Sequence, residues 1–347
     1  ATDKVYAEHG QQALQYGAAK GVTELRELIL KRVKEKENID AKLENVMVTT
    51  GSEQAIDLVG KAFVNPGDTV LVEEPTYLCA LDVFRSYGAN FVSVPMDDDG
   101  MKMDALEEAL KAHPETALVY TVPNFQNPTG RTMPAERRKK FAELAAKYDV
   151  PVLEDNPYGD IRFAGEHVPS VKSFDHAGKV FYMSTFSKIL APGFRLGWLV
   201  ADPKVIEKLT VLKQSADLHT DNLVQYVVTE FFKENDVDAH VKEISDLYGK
   251  RKQLMIDGIK KYFPKDVKYT DPEGGMFLWV EVPGVTDTVE LFKQCLEHNV
   301  AFVPGDPFFA GKPQQGTFRL NYSNMQEDQI EVGLKRLGEA LSQALEA

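Results

Sequence analysis

Short apolar runs that alternate with helix-patterned segments constrain this chain more than any other feature. Runs rich in β-branched and aromatic residues occur at 46–50, 69–73, 91–94, 117–122, 151–154, 180–183 and 196–200. Most are continuously apolar rather than alternating, which suits strands covered on both faces. Helical patterns lie between most of them, at 52–64, 77–87, 104–112 and 134–148. This order predicts an α/β fold: a mainly parallel, seven-stranded sheet with helices on both faces. After about residue 203 the pattern changes. Long helical stretches at 225–233 and 241–263 precede short strands at 277–281, 301–303 and 317–321, and a helix at 327–345 closes the chain. That reads as a smaller α+β domain. At 347 residues the chain exceeds one ordinary core, so two domains are expected. The polar stretch Glu234-Asn235-Asp236 divides a large domain, 1–235, from a small one, 236–347.

Charge and composition exclude several classes. The net charge of −13 argues against binding a nucleic-acid backbone. No apolar stretch approaches the ~20 residues that span a bilayer, and no secretory leader is visible. Two cysteines make no disulfide framework and fit a reducing compartment, so a cytoplasmic location is expected. The acidic run Asp97-Asp98-Asp99-Gly100 lacks the alternating ligands of a calcium loop and reads as a solvated turn. The seven histidines are scattered without an H-E-x-x-H pattern, so no metal is expected. Neither a Walker loop nor a dinucleotide glycine fingerprint occurs, which disfavours a nucleotide-binding protein.

Ligands of open α/β sheets bind beyond the carboxyl ends of the strands, and chemically capable residues cluster there. Lys188 follows the run at 180–183 and is ringed by Ser184, Thr185 and Ser187; Arg195 comes seven residues later. A lone lysine is usually a solvated surface residue. This one has hydroxyls and a guanidinium suited to a phosphate beside an amine able to form an imine. Gly51-Ser52-Glu53-Gln54 leaves the first strand and opens a helix, a natural phosphate cup, although Ser52 alone reads equally as a helix cap. The Glu53 carboxylate is unfavourable beside a phosphate, so its backbone N–H is the expected donor. Asn127, in Asn-Pro-Thr-Gly, offers an amide at the sheet edge. Asp155 ends an apolar strand and needs a cationic partner such as a protonated pyridine nitrogen; alternation turns Glu154 to the opposite face. Tyr158 offers a hydroxyl, and Tyr77 a ring that either stacks on a planar ligand or packs in the core. Arg319, within the apolar run at 317–321, either grips a carboxylate or snorkels outward.

Together with Tyr16-Gly17…Gly21 and Phe318-Arg319, these motifs resemble fold-type I pyridoxal-phosphate enzymes, specifically class I/II aminotransferases, over essentially the whole chain. The form Phe125-Gln126-Asn127-Pro128 and the spacing from Lys188 to Arg195 are similar to the broad-specificity branch that acts on 2-aminoadipate, aromatic or aliphatic amino acids. The resemblance implies a ping-pong transamination between an amino acid and a 2-oxo acid. It implies pyridoxal 5'-phosphate carried as a Schiff base on Lys188 and Asp155 on the pyridinium proton. Asn127 and Tyr158 would bind the ring oxygen, and Tyr77 would stack on the ring. Ser52, Glu53, Thr185, Ser187 and Arg195 would hold the phosphate. Arg319, with Asn127, would bind the substrate carboxylate. Tyr16 would reach the phosphate of a partner subunit, which makes a homodimer with shared sites. The family's N-terminal arm and entrance helix normally precede the Tyr16 motif; 15 residues do so here, and they read as part of that arm. A lyase or decarboxylase on the same scaffold shares every cofactor contact and stays open. So does the effector domain of a transcription regulator, which would need a basic winged-helix segment upstream.

Overall fold

The structure is a computed structural model and describes residues 1–346. Its elements run α1 (Thr2–Ala13), α2 (Thr23–Glu37), β1 (Val46–Thr50), α3 (Gly51–Phe63), β2 (Thr69–Glu74), α4 (Leu78–Ser86), β3 (Asn90–Asp97), β4 (Gly100–Met101), α5 (Met103–Ala112), β5 (Leu118–Thr121), α6 (Ala135–Lys147), β6 (Val152–Asp155), β7 (Val180–Thr185), β8 (Leu196–Val200), α7 (Pro203–Ala216), α8 (Asn222–Glu234), α9 (Val237–Tyr262), β9 (Lys268–Tyr269), β10 (Phe277–Glu281), α10 (Thr288–Glu297), β11 (Val303–Pro304), β12 (Thr317–Asn321) and α11 (Glu327–Glu346).

The large sheet has the order β1-β8-β7-β6-β5-β2-β3-β4. It holds eight strands where seven were expected. The additional one, β4, is a two-residue return that pairs antiparallel with β3 after the turn at Asp98–Asp99, too short to leave a pattern. In that turn Asp99 N donates to Asp97 Oδ1 at 2.9 Å. Strands β3, β2, β5, β6 and β7 are mutually parallel. Strand β8 is reversed, antiparallel to both β7 and β1.

Burial on both faces explains the continuously apolar strands. On one face Leu58 and Val59 of α3, Phe84 of α4 and Leu209 of α7 pack on Val70, Tyr120 and Leu153. On the other, Phe141 and Leu144 of α6 meet Val119 and Val152, while Leu25 and Ile29 of α2 and Val228 of α8 cover Val46 and Trp198. Each such fully buried side chain contributes about 1.5–3 kcal/mol. The sequence pattern left α1, α2, α7 and α10 unread. In α2 the reason is visible: its buried side includes Arg26, Arg32 and Glu37, so apolar periodicity does not mark that face.

The small sheet, β11-β12-β10-β9, is antiparallel throughout. Its third element is shifted from 301–303 to Val303–Pro304, and the two-residue β9 was not expected. Helices α9, α10 and α11 bury Ile256, Leu291, Leu334 and Leu337 against Leu278, Phe318 and Leu320. Helix α9 serves both cores: Val237 and Val241 join the large one, and Met255, Ile256 and Ile259 the small one.

Candidate active site

One cavity of about 120 Å³ lies at the carboxyl edge of the large sheet, lined by Ser52, Glu53, Tyr77, Asn127, Asp155, Tyr158, Thr185, Ser187, Lys188 and Arg195, with apolar side chains between them. Topology explains the gathering. Strands β1, β2, β5, β6 and β7 end there and hand the chain to Gly51-Ser52, Tyr77, Asn127, Asp155 and Lys188 respectively. The reversal of β8 makes that strand begin where the others finish, so Arg195, just before it, joins the same edge.

Asp155 is buried, and its Oδ2 accepts from the Tyr120 hydroxyl at 2.7 Å. Its Oδ1 has no partner in the protein. Burial pushes this carboxyl up to about 7, against the hydrogen bond from Tyr120 and the Lys188 charge, which pull it down. Lys188 sits in the short 3-10 turn after β7. Burial holds its amine below the usual lysine range, and the Arg195 and Arg319 charges add to that. Thus a partly desolvated amine and a buried acid with one free oxygen share the cavity. Glu154 is on the opposite face, where its oxygens accept from the Val171 and Lys172 N–H groups at 2.8 Å.

At the other end, α3 opens against the guanidinium of Arg195. Gly51 has φ +73°, and a Cβ there would collide with Arg195 Nη2. Only glycine adopts this turn without strain and leaves that room. Gly197 likewise lets β8 pass beside the first turn of α3: a Cβ there would lie 2.7 Å from Ser52 N. Ser52 is inside α3 rather than at its cap; Thr50 is the cap and makes no side-chain cap bond. The hydroxyls of Thr185 and Ser187 lie 2.8 Å apart. Free helix N–H groups, two hydroxyls and a guanidinium make an anion cradle. Burial raises the Glu53 carboxyl, while the Tyr77 hydroxyl, 3.5 Å from its Oε2, and the Arg195 charge pull it back down.

Asn127 and Tyr158 stand between the two ends, Asn127 Nδ2 donating to the Tyr158 hydroxyl at 3.4 Å. Tyr77 caps α4 at the cavity wall. Arg319 enters from the small sheet. Its guanidinium lies 4.0 Å from the Phe277 ring centre and 5.1 Å from that of Phe308, and Nη1 donates to Asn127 Oδ1 at 2.7 Å. Its Nε is buried without a partner. Two expected residues lie outside the cavity's lining: Arg319, which meets it through Asn127, and Tyr16. Tyr16 is 79% exposed, packs edge-on to His219 with ring centres 6.0 Å apart, and does not line the cavity of its own chain.

Sequence reasoning missed two supports. Tyr120 reads as an ordinary core residue of a strand; the only signal is that it shares a sheet face with Asp155. Glu73 is buried, accepts from Thr121 Oγ1 at 2.6 Å and from Gln126 Nε2 at 3.0 Å, and burial pushes it up to about 7. Gln126 in turn accepts from Thr129 N at 3.0 Å and Thr129 Oγ1 at 2.7 Å, which braces the Asn127 loop.

These residues fit pyridoxal phosphate. The unpartnered Asp155 oxygen suits a cationic ring nitrogen, and the Gly51–Arg195 cradle suits a phosphate. The family described as aminotransferase class I and II matches residues 1–337. The chain is 43% identical to aromatic-amino-acid aminotransferase 1 of Thermococcus litoralis, over 99% of this chain and 84% of that one. It superposes on a kynurenine aminotransferase from Pyrococcus horikoshii with a TM-score of 0.95 and 42% identity, covering 99% of this chain and 86% of that one. It matches the α-aminoadipate aminotransferase LysN of Thermus thermophilus, in complex with N-(5'-phosphopyridoxyl)-L-leucine, with a TM-score of 0.94 and 38% identity, covering 100% and 88%.

Proposed function

The chain belongs to the class I and II aminotransferases, in the aminoadipate and aromatic branch, and on that premise we propose how its own residues carry the reaction. The enzyme uses pyridoxal phosphate and moves an amino group between an amino acid and a 2-oxo acid by a ping-pong route. When bound, pyridoxal phosphate supplies an aldehyde that condenses with amines and a ring that draws electrons from the substrate α-carbon. Lys188 Nζ is the amine that would hold the aldehyde. As a free base it would carry a proton away from the substrate α-carbon and return one during turnover. Its lowered basicity supports that task, because a larger share of the amine is unprotonated near neutral pH. Asp155 Oδ1 holds the proton of the ring nitrogen. Asn127 and Tyr158 bind the ring oxygen, and Tyr77 covers the ring. The backbone of Ser52 and Glu53, the hydroxyls of Thr185 and Ser187, and Arg195 bind the phosphate. Arg319, with Asn127, grips the substrate carboxylate.

The observation that carries this assignment is the unpartnered Oδ1 of buried Asp155 in a cavity that also holds Lys188. Its test is borohydride reduction of the loaded enzyme followed by peptide mapping. The label is expected on Lys188; a label on any other side chain overturns the assignment. Substrates are proposed to be aromatic amino acids and 2-aminoadipate, the classes named for the relatives. Mixing the loaded enzyme with single amino acids and following the cofactor's absorbance ranks them. Pyruvate and ammonia released without added 2-oxo acid would point to a lyase instead.

A homodimer is proposed as the working form. Tyr16 is too exposed to serve its own cavity, and Tyr6, Leu14 and Leu218 are large exposed apolar side chains on neighbouring elements. Sedimentation that gives a monomer with full activity would overturn the dimer. Both cysteines are free thiols, which supports a cytoplasmic location. We also propose the domain division near residue 236, where Asp236 caps α9 by accepting from Ala239 N; Val237 and Val241, just beyond it, still pack in the large core.

A further inference from the structure

Behind the phosphate cradle lies a polar network that the reaction as described does not use. Gln54, in the first turn of α3, accepts from Thr50 N at 2.8 Å and from Lys213 Nζ at 2.7 Å on one oxygen. Its amide donates to Asp217 Oδ2 at 2.7 Å. Lys213 also reaches Asp217 Oδ1 at 2.9 Å and Oδ2 at 2.8 Å, and its side chain is wholly enclosed. Thr50 Oγ1 donates to Asp217 Oδ2 at 2.8 Å. None of these side chains has a buried polar atom left without a partner.

Burying an ammonium is costly unless every proton finds an acceptor, and hydrophobic packing would serve stability as well. All three protons of Lys213 find acceptors, one on Gln54 in the first turn of α3 and two on Asp217, which ends α7, so the ammonium ties these two helix ends together. A helix start leaves about four N–H groups without intrahelical partners. Gln54 takes one of them, that of Thr50, and so holds the turn from which Ser52 and Glu53 face the cavity. The start of α8, a few residues beyond Asp217, is in turn laced to the Tyr16 loop: Asn222 Nδ2 donates to Gln15 O at 2.8 Å, and Gln225 accepts from Val22 N at 2.8 Å while donating to Thr220 O at 2.9 Å.

We propose that Gln54, Lys213 and Asp217 are positioning residues for the cofactor's phosphate, clamping the first turn of α3 to the end of α7 so that the cradle keeps its shape. This rests on the reading of Gly51–Glu53 as the phosphate site. The clamp acts on one end of the cofactor, so it separates phosphate binding from ring binding.

The test compares pyridoxal phosphate with pyridoxal, which lacks the phosphate, in the full chain. Two variants are used: Gln54→Ala, and the paired Lys213→Met/Asp217→Asn, which leaves no buried charge alone. Dissociation constants come from the visible absorbance, and the phosphorus resonance of the bound ester reports its surroundings. The expected result is a roughly 10- to 100-fold weaker hold on pyridoxal phosphate, by analogy with the outer supports of metal sites. The phosphorus resonance should shift, while pyridoxal affinity changes less than about threefold and circular dichroism is unaltered. Equal weakening of both compounds, or no change in either, overturns the proposal. A native enzyme that holds pyridoxal as tightly as the phosphate ester would instead overturn the phosphate-site reading beneath it.

Discussion

Arg319 Nη1 donates to Asn127 Oδ1 at 2.7 Å, across a sequence separation of 192 residues and from the small sheet to the edge of the large one. The side chain proposed to grip the substrate is therefore braced by the one proposed to bind the cofactor's ring. Two aromatic faces hold the guanidinium from its own domain. Such an arginine is set before substrate arrives, so less ordering is needed on binding.

Arg319→Ala should lower kcat/KM by the equivalent of about 2–5 kcal/mol, mostly through KM. Asn127→Ala should weaken substrate as well, because it removes the brace. The double variant should cost less than the sum by about 0.5–3 kcal/mol. Steady-state kinetics on the four proteins checks this; strict additivity would mean that the two residues act separately.

Lys188→Ala should remove the visible imine band and lower turnover by at least ~10²–10⁴-fold. Cofactor retention should fall less, since the Arg195 cradle and Asp155 are untouched. Absorbance and single-turnover assays check both. Full activity in this variant is incompatible with the scheme.

Tyr120→Phe removes the hydrogen bond that keeps Asp155 ionisable. A bond to a charged group is worth about 1.5–3 kcal/mol. We expect the loss chiefly in kcat, near tenfold, with KM little changed. A KM effect of the same size would make Tyr120 a packing residue instead.

In the cofactor-free protein, Asp155 keeps its proton up to about pH 7, whereas in the unfolded chain it loses it near pH 4. Between those values the unfolded chain binds fewer protons, so this group lowers stability as pH rises from about 4 to about 7 and adds no further change above. Cofactor-free Asp155→Asn should escape this fall. Thermal midpoints of the two proteins should therefore diverge across that window and run parallel above it. Added pyridoxal phosphate should raise the wild-type midpoint most at the alkaline end. Parallel curves throughout would show that Asp155 is not desolvated.

The strands were legible because both faces of the large sheet are covered, which turns each strand into a continuous apolar run such as 196–200. The candidate site was legible because its residues follow those runs: Lys188, Asp155 and Asn127 each come just past one. What stayed hidden has physical causes. Tyr120 sits in a strand as any core tyrosine would, and only pairing with β6 brings its hydroxyl to Asp155. Helix α2 buries charges. The direction of β8 belongs to the topology, since an apolar pentapeptide reads the same either way. Tyr16 could be named from its motif, but its exposure appears only once the chain is folded.

The reversed strand also sets a length rule. Six residues separate Lys188 from Arg195, and β8 is registered on both sides, Thr185 opposite Gly197 and Thr50 opposite Leu196. Adding or deleting one residue between Lys188 and Arg195 would either drag β8 out of register with two neighbours or lift the guanidinium off Gly51. A slip by one would also turn Leu196 and Trp198 together to the opposite face of the sheet. This segment is thus a gauge set by length rather than by side-chain identity, which makes indel scanning there a sharper probe than any point substitution.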